Sequence, residues 1–397
     1  MQNLDLVILA GGKGSRIKKY LKNFPKPMAK FNKIYFLQYL INIYSKYPFK
    51  RIYILAGYKS DVIFKKFHNK IFNFTKIICL KEKKFMGTGG ALFGLKKKIN
   101  NFVLVNGDTI FDIDIKNFVN VSKISKKNNL GCVALTQKKK NTNNYKLNNL
   151  SLKNNILIYK KKSPLMNGGI YFFKKELFKK LKNKPCSLEE DLLPYYINKK
   201  QLLGKSYNKF FLDIGTPKYF HVSSRKLRKY YYRPAAFLDR DGVINYDNGY
   251  VHKKKDFKFR KGVLKGLKFL IKKKYFIFII TNQAGIAKGY YDETDLKKLH
   301  IFIKYTLSKK NIYFDDVQYC PYHPKGKIKK FRKKSSLRKP NNQMIKNIYK
   351  NWLINKGKSF MIGDKLSDKL CAKKSMIKFS YAEKDFYKQV KAIVSKT

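Results

Sequence analysis

Two series of short apolar runs, each broken off at a glycine or a charged or polar turn, limit this chain to a narrow set of folds. The first series is "LDLVILAGG", "RIYILAG" and "FVLVNGD"; the second is "AAFLDRDG", "YFIFIITNQ" and "SFMIGD". Runs of Val, Ile, Leu and Phe without polar alternation suit strands buried on both faces of a parallel sheet. Segments such as "VLKGLKFLIKKK" and "DLKKLHIFIKYTLSKK" repeat apolar residues at helical spacing with lysines facing out. Strands alternating with such helices predict an α/β architecture. At 397 residues the chain exceeds what one core usually serves. The basic, aromatic stretch "HVSSRKLRKYYYRP" separates the two series and reads as a last helix plus a short linker. Because the loops of the two series differ, two unlike domains are expected, over 1–228 and 234–397.

Charge is the next constraint. Lys and Arg number 90 against 24 Asp and Glu, a formal net charge of +66. Such a balance points to nucleic acid or anionic membranes when it is clustered. Here the lysines run the whole length, accompanied by Asn, Ile, Phe and Tyr, which is the pattern of AT-rich coding DNA rather than of a binding footprint. No nucleic acid or membrane partner is therefore expected, and the positive field favours phosphorylated small molecules. A nucleic-acid-binding protein built on decayed enzyme domains is the alternative from another class; salt-dependent DNA binding without turnover would mark it. Cys79, Cys132, Cys186, Cys320 and Cys371 are odd in number and scattered, as free thiols in a reducing compartment would be. With no leader pattern and no apolar run approaching a bilayer span, a cytoplasmic location is expected.

Chemistry concentrates where the apolar runs stop. In "LAGGKGSR", residues 9 to 16, Gly11, Gly12 and Gly14 let the backbone approach a triphosphate, while Lys13 and Arg16 add positive charge. "FPKPM" holds Lys26 between two prolines. "GTGGAL" is a second glycine-rich turn, with Gly87, Thr88 and Gly89 opening a helix. Asp108 in "NGDTIFD" and Asp213 in "FLDIGTP" stand at strand ends, where two carboxylates suit Mg²⁺ shared with a substrate phosphate. Taken singly, each piece is an ordinary turn glycine, surface lysine or capping aspartate. In this order and together they are specific.

Through these motifs and "NGGIYFF" and "SLEEDLLP", residues 1 to about 225 resemble the sugar-1-phosphate nucleotidyltransferases, and within them the heptose-1-phosphate guanylyltransferase branch. The resemblance implies in-line attack of a sugar-phosphate oxygen on the α-phosphorus of a nucleoside triphosphate, with pyrophosphate leaving. It implies Asp108 and Asp213 as Mg²⁺ ligands and Arg16 and Lys26 as the cations that offset developing charge. Asn167 and Gly168 would line the sugar pocket and Glu189 would meet sugar hydroxyls. Related enzymes carry an acidic residue beside a lysine before the "NGG" turn; this chain has "YKKKSP", leaving Lys162 for that place.

In the second series, "FLDRDGVIN" sets Asp239 and Asp241 two apart at a strand end, a spacing that sends both carboxylates to one side. One can attack phosphorus while the other donates to the leaving oxygen, and two close carboxylates are expected to share a proton. Thr281 and Asn282 stand at the tip of the next strand, Lys339 offers a fixed cation, and Asp364 ends another strand with Asp368 four residues on. With "NGYVH", "TNQAGIAKG", "CPYHP", "RKP" and "GDKLSD" in order, residues 234 to about 390 resemble the haloacid dehalogenase superfamily. The narrower likeness is to the D-glycero-D-manno-heptose 1,7-bisphosphate 7-phosphatases, with histidinol phosphatases sharing much of the pattern. The resemblance implies Asp239 as nucleophile and Asp241 as general acid, then base. Mg²⁺ would sit on the Asp239 carboxylate, the Asp241 backbone carbonyl and Asp364. Thr281 and Lys339 would bind the transferring phosphate, and Asn282, Arg338 and Lys365 the rest of the substrate.

In that family the loop before "RKP" commonly holds structural zinc through a Cys, a His two residues on, and a Cys-x-Cys. Here Cys320 is followed by Tyr322, and Ser335 and Leu337 stand at the other two places, with His323 one residue late. One thiolate cannot close a tetrahedral site, so no structural zinc is expected. Tyr322, Phe331 and Leu337 are expected to anchor the loop by packing instead. The two resemblances together imply two doubly wound Rossmann-like domains, a nucleotide-diphospho-sugar transferase fold followed by a haloacid dehalogenase-like fold. They imply consecutive steps on one heptose phosphate, with GTP as the nucleotide donor. The same chemistries on mannose- or glucose-1-phosphate are the alternative.

Overall fold

The computed structural model of the chain describes residues 3–21, 23–82, 84–124, 129–137 and 148–396. The chain packs as two compact units. One comprises Met1–Leu40, Phe49–Ile71 and Thr75–Ser224; the other comprises Ile41–Pro48, Phe72–Phe74 and Arg225–Thr397. The stretch expected to close the first half is the helix Pro217–Tyr231, which runs to within a few residues of the next strand, Ala235–Leu238. Among the described residues no helix is long and apolar enough to cross a membrane. All five cysteines are free.

The first unit is built on a ten-stranded sheet. Its parallel centre runs Phe102–Asn106, Asp5–Leu9, Arg51–Ala56, Thr75–Lys81. Leu6, Val7 and Ile8 are wholly buried, as strands covered on both faces require. The sheet is mixed rather than parallel throughout: Leu165–Phe173 lies antiparallel to both Phe102–Asn106 and Gly131–Gln137. Apolar runs of this kind announce burial, not direction, so the antiparallel strand carried no distinguishing signal.

The second unit has a five-stranded, all-parallel sheet in the order Asp316–Cys320, Phe276–Asn282, Ala235–Leu238, Phe360–Gly363, Lys378–Tyr381. Its first strand in sequence lies at the centre, with later strands added on either side. This is doubly wound topology. Helices Val263–Lys272, Glu293–Lys309, Gln343–Asn351, Leu366–Lys374 and Phe386–Ser395 belong to this unit. Glu293–Lys309 starts on a reciprocal cap, in which Asp292 accepts from the Asp295 amide while Asp295 accepts from the Asp292 amide. Phe237 is fully buried in the central strand, its ring 5.3 Å from that of Phe278 and 6.0 Å from that of Tyr349.

The single tryptophan, Trp352, packs 4.9 Å from the Phe276 ring and 5.2 Å from Phe278, so its fluorescence reports on this unit. Phe237→Ala should lower the unit's stability by about 3–5 kcal/mol. The Trp352 urea transition should move to lower denaturant with its slope preserved. An unmoved transition would show that this strand is not part of the cooperative core.

Candidate functional site

In the first unit, the loop after Asp5–Leu9 and the loop after Phe102–Asn106 leave neighbouring parallel strands at the same sheet edge. Gly14 takes a φ of 67°, and a Cβ there would lie 2.9 Å from Leu21 Cδ1 and 3.2 Å from Lys26 Cβ. Only glycine fits that turn. Gly12 and Lys13 are exposed, and a Cβ on Gly12 would meet nothing within 4 Å, so backbone here is open to approach. The short turn Lys26–Met28, entered from Pro25, directs Lys26 Nζ onto Asp108 Oδ2 at 2.5 Å. Asp213 ends Phe211–Asp213, which pairs antiparallel with Thr109–Phe111, so that Asp213 faces Thr109. A Cβ on Gly215 would fall 2.8 Å from Asp213 Oδ1 and 3.2 Å from Lys26 Nζ. One ammonium thus stands between two carboxylates.

Burial opposes charge on Asp108, but Lys26 outweighs it and holds the carboxyl below its ordinary value. Asp213 is pushed up to about 7 by burial and then by Asp108, with Lys26 and Arg16 pulling the other way. Arg16 lies exposed on the turn Ser15–Tyr20 and joins this group through its charge.

The second glycine-rich turn is organised differently. The Gly89 and Gly90 amides donate to the Cys186 carbonyl at 3.0 and 3.1 Å, so the Gly89 amide is not open to a phosphate. A Cβ on Gly87 would lie 2.4 Å from that same carbonyl oxygen. These glycines answer to the packing of a neighbouring segment. Thr88 Oγ1 donates to Glu189 Oε2 at 2.7 Å and accepts from the Leu188 amide at 2.8 Å, which positions Glu189. Asn167 donates to Tyr171 Oη at 2.7 Å and accepts from the Gly169 amide at 3.0 Å. Gly168 lies against Phe111, where a Cβ would be 2.6 Å from the ring. Lys162 is exposed on a turn at φ 63°, with no hydrogen bond or ion pair to this group among the described residues.

Glu82 escaped the sequence reading, since an acid inside "LKEKKF" has no distinguishing pattern. It follows the strand Thr75–Lys81, its amide held by the Ala56 carbonyl at 2.9 Å. Its Oε1 lies 2.6 Å from where a Gly11 Cβ would be, and burial pushes its carboxyl up.

In the second unit, Asp239 and Asp364 directly follow Ala235–Leu238 and Phe360–Gly363, adjacent parallel strands of the sheet. The buried Lys339 Nζ lies 2.9 Å from Asp239 Oδ2 and 2.6 Å from Asp368 Oδ1, and donates to the Ile280 carbonyl at 2.8 Å. Ligand oxygens of Asp239, Asp364 and Asp368 all fall within 4.8 Å of one another. Among the described residues this is the one group of three or more His, Cys, Asp or Glu side chains able to hold a metal. Asp364 Oδ1 is buried with no hydrogen-bond partner, as an oxygen reserved for a cation would be. Gly242, at φ 80°, keeps the approach clear: a Cβ there would sit 2.6 Å from Asp364 Oδ2. Hard carboxylate oxygens of this kind fit Mg²⁺. Asp239 is pushed up to about 7 by burial, with Lys339 pulling it down and Asp368 pushing up more than Asp241 does.

One expectation is corrected by the hydrogen bonds: the Asp241 side chain turns to Arg240 rather than to Asp239. Its oxygens accept from Arg240 Nε at 3.0 Å and Nη2 at 2.9 and 2.8 Å, from Asn245 at 3.0 Å and from Gln283 at 3.0 Å. The physical reason is Arg240, which is 1% exposed and needs an anion there. It is further locked by the Val251 carbonyl at 2.6 Å and faces His300 Nε2 at 3.3 Å. The carboxylate beside Asp239 is Asp368, admitted because Gly363 has no Cβ; one would lie 2.2 Å from Asp368 Cβ. The four-residue step from Asp364 to Asp368 was visible in sequence, but the Lys339 contact was not.

The remaining expected residues fall around this cluster. Thr281 Oγ1 accepts from Gln283 Nε2 at 2.8 Å, and Gln283 accepts from Tyr291 Oη at 2.6 Å. Asn282 grips the Lys339 peptide, accepting from its amide at 3.1 Å and donating to its carbonyl at 3.2 Å. Lys365 Nζ lies 3.4 Å from Asp247 and 3.7 Å from Asp364. Arg338 is half-buried and reaches the Tyr322 carbonyl at 3.5 Å. The loop that delivers Arg338 and Lys339 starts at buried Cys320. It is tied down by Ile328 N to the Ala287 carbonyl (2.9 Å) and by Arg332 to the Gly326 (2.6 Å) and Lys327 (3.0 Å) carbonyls. Tyr322 and Phe331 meet at 6.0 Å between ring centroids, and both are half-buried, as is Leu337.

Comparison with known proteins adds to this geometry. Residues 6–229 match the family described as nucleotidyl transferase, and residues 235–393 match the one described as polynucleotide kinase 3 phosphatase. The chain is 40% identical over 162 residues to D-glycero-beta-D-manno-heptose-1,7-bisphosphate 7-phosphatase of Rhodopseudomonas palustris, covering 40% of this chain and 90% of that protein. It is 38% identical over 135 residues to the protein of the same name from Escherichia coli K12, covering 34% of this chain and 71% of that one. Among solved structures, HddC from Yersinia pseudotuberculosis is 25% identical with a TM-score of 0.47, over 56% of this chain and 99% of that one.

The raised carboxyls predict a pH dependence. Asp239 and Asp213 stand at about 7 in the folded chain against an ordinary 3.8. Their protonated forms therefore favour folding at low pH, and that contribution is lost as pH rises through about 7. A divalent cation acts on the ionised form and must displace the proton. Mg²⁺ affinity should fall by up to about tenfold per pH unit below about 7, with proton release seen by calorimetry in buffers of different ionisation enthalpy. Equal affinity at about pH 6 and about pH 8, without proton release, would contradict the raised values.

Proposed function

Because this chain belongs to the nucleotidyl transferase family through residues 6–229, and to the family of heptose-bisphosphate phosphatases through its second half, it is an enzyme with two activities, and we propose that both act on one heptose. The phosphatase, in 234–397, removes the 7-phosphate of D-glycero-D-manno-heptose 1,7-bisphosphate. The transferase, in 1–228, joins the resulting heptose 1-phosphate to GMP from GTP and releases pyrophosphate. The observation that carries this reading is the pair of separate carboxylate–lysine groups, Asp108–Lys26–Asp213 and Asp239–Lys339–Asp368, one in each unit.

In the phosphatase, an Asp239 oxygen attacks phosphorus and the bond from phosphorus to the C7 oxygen breaks. Asp241, once it has released an Arg240 or Gln283 bond and taken up a proton from solvent, gives that proton to the leaving oxygen. It then takes a proton from the water that splits the aspartyl phosphate, freeing phosphate and restoring Asp239. Lys339 and Thr281 hold the phosphoryl oxygens, and Asn282 fixes the Lys339 backbone. Asp239 and Asp364, with the Asp241 carbonyl, would hold Mg²⁺, which would supply charge neutralisation when bound.

In the transferase, the turn Gly11 to Gly14, with its open backbone at Gly12 and Lys13 and with Arg16, receives the triphosphate. Lys26 offsets charge at the reacting phosphorus, beside Asp108 and Asp213, which fit Mg²⁺. Glu189, fixed by Thr88, together with Asn167, Gly168 and Lys162, faces the sugar phosphate. The guanine preference finds support in Glu82. Guanine alone presents two adjacent donors, N1–H and N2–H, on one edge, and a carboxylate accepts both. A site built to satisfy such a pair discriminates strongly against a base lacking it.

Asp239→Asn should abolish phosphate release from the bisphosphate while pyrophosphate release from supplied heptose 1-phosphate continues; Asp108→Ala should do the reverse. Loss of both activities in either variant, with the fold intact by circular dichroism, would refute two independent sites. Glu82→Gln should reduce the preference for GTP over ATP at least tenfold, about 1.4 kcal/mol of transition-state discrimination. An unchanged ratio would remove Glu82 from base recognition.

A further inference from the structure

We infer that His300, held in place by Phe74, is a positioning residue for the phosphatase reaction and acts through Arg240 on the side chain of Asp241. The inference rests on the reading of Asp241 as the group that protonates the leaving oxygen, and extends it to residues outside the reacting cluster.

The chain of contacts starts at the buried guanidinium. Arg240 donates to Asp241 through Nε and Nη2, and Nη2 also donates to the Val251 carbonyl at 2.6 Å. Its remaining nitrogen, Nη1, lies 3.3 Å from His300 Nε2. A guanidinium has donors only, so His300 Nε2 must be the acceptor and the ring proton sits on Nδ1. Burial first, and then the Arg240 charge, holds His300 well below its ordinary value, in agreement with a neutral ring. Neutrality matters here. A carboxylate in this place would compete with Asp241 for the cation, and an imidazolium would repel it. When Asp241 releases Arg240 to meet the substrate, the guanidinium would otherwise be a buried cation with no partner. Val251 and His300 keep two of its nitrogens hydrogen-bonded, so the cation stays in place and the carboxylate alone moves.

The His300 ring is itself fixed. It projects from the helix Glu293–Lys309 and stacks on Phe74, with centroids 4.5 Å apart and planes at 15°. Phe74 stacks in turn on Tyr319, at 5.7 Å and 14°. The segment Phe72–Phe74 lies within the second unit, although it stands outside 234–397 in sequence. Asn73 donates to the Phe314 carbonyl at 2.9 Å, and Lys304, one helical turn beyond His300, donates to the Asn73 carbonyl at 3.1 Å. Asn73 and Phe74 take φ values of 45° and 59°. A phenylalanine rarely adopts that conformation and keeps it only where its surroundings over-determine it. The effect of the turn is to set one ring against His300.

The experiment compares kcat/KM of the full chain for heptose 1,7-bisphosphate and for p-nitrophenyl phosphate, whose phenolate leaves without a proton. This constant covers the steps up to departure of the leaving group, so a misplaced acid shows on the sugar substrate alone. In His300→Leu the bisphosphate value should fall about tenfold or more, part of the ~10²–10⁴ that a positioned acid contributes, while the p-nitrophenyl phosphate value stays within about twofold. His300→Gln, whose amide oxygen can accept from Arg240, should restore most of the loss. Phe74→Leu should show the same selective loss to a smaller degree. Equal loss on both substrates, the mark of a merely structural role, overturns the inference, as does an unchanged bisphosphate value in His300→Leu or no rescue by His300→Gln. Asp241→Asn is the separate control and should lose far more on the bisphosphate than on p-nitrophenyl phosphate. Equal loss in that variant overturns the reading of Asp241 itself, which is a different failure.

Discussion

Both units depend on one constraint of parallel sheets. When the first strand in sequence lies inside the sheet, the connections from it and from one neighbour leave toward opposite faces, and a crevice opens at their C-terminal ends. Asp5–Leu9 beside Phe102–Asn106 makes such a point in the first unit, and Ala235–Leu238 beside Phe360–Gly363 makes it in the second. The middles of these strands, buried on both faces, are apolar. Charge therefore collects at the ends, at Asp108 in one crevice and at Asp239 and Asp364 in the other. Glycines at 14, 215, 242 and 363 let chain segments approach closely there.

Each crevice is then organised by a lysine between two carboxylates, with different degrees of enclosure. The Lys339 side chain is 1% exposed and that of Lys26 14%. Removing one partner of a buried pair leaves an uncompensated charge and costs about 3–5 kcal/mol. The same arrangement sets the chemistry. Burial first, and then a neighbouring carboxylate, lift one carboxyl of each set, Asp239 or Asp213, to about 7. A cation or a phosphate entering either crevice completes a balance the protein leaves open.

The loop from 320 to 340 shows how a long connection can be ordered by many small contacts. The backbone bond from Ile328 to the helix Ala284–Lys288, the two carbonyls gripped by Arg332, and the Tyr322–Phe331 ring contact hold it in place. Asn282 then fastens its far end by both peptide groups of Lys339. The buried ammonium and the half-buried guanidinium at that end face different surroundings because the loop is pinned from both sides.

Sequence alone determined the alternation of buried strands and amphipathic helices, the two-unit organisation, and the strand ends at which Asp108, Asp239 and Asp364 stand. These follow from local periodicity, which needs no knowledge of distant segments. It did not reveal the antiparallel strand Leu165–Phe173, whose apolar run reads the same in either direction. Nor did it reveal which groups would meet. The two-residue step from Asp239 to Asp241 suggested a shared proton, yet a buried Arg240 claims Asp241 and Asp368 takes the place beside Asp239. Glu82 reaches Gly11 only because strands and loops far apart in sequence are packed together. Spacing along a chain states which side of an element a residue occupies. The partner of a buried charge is decided by whichever anion or cation the tertiary packing brings within about 3 Å, because in a low-dielectric interior an unmatched charge is too costly to keep.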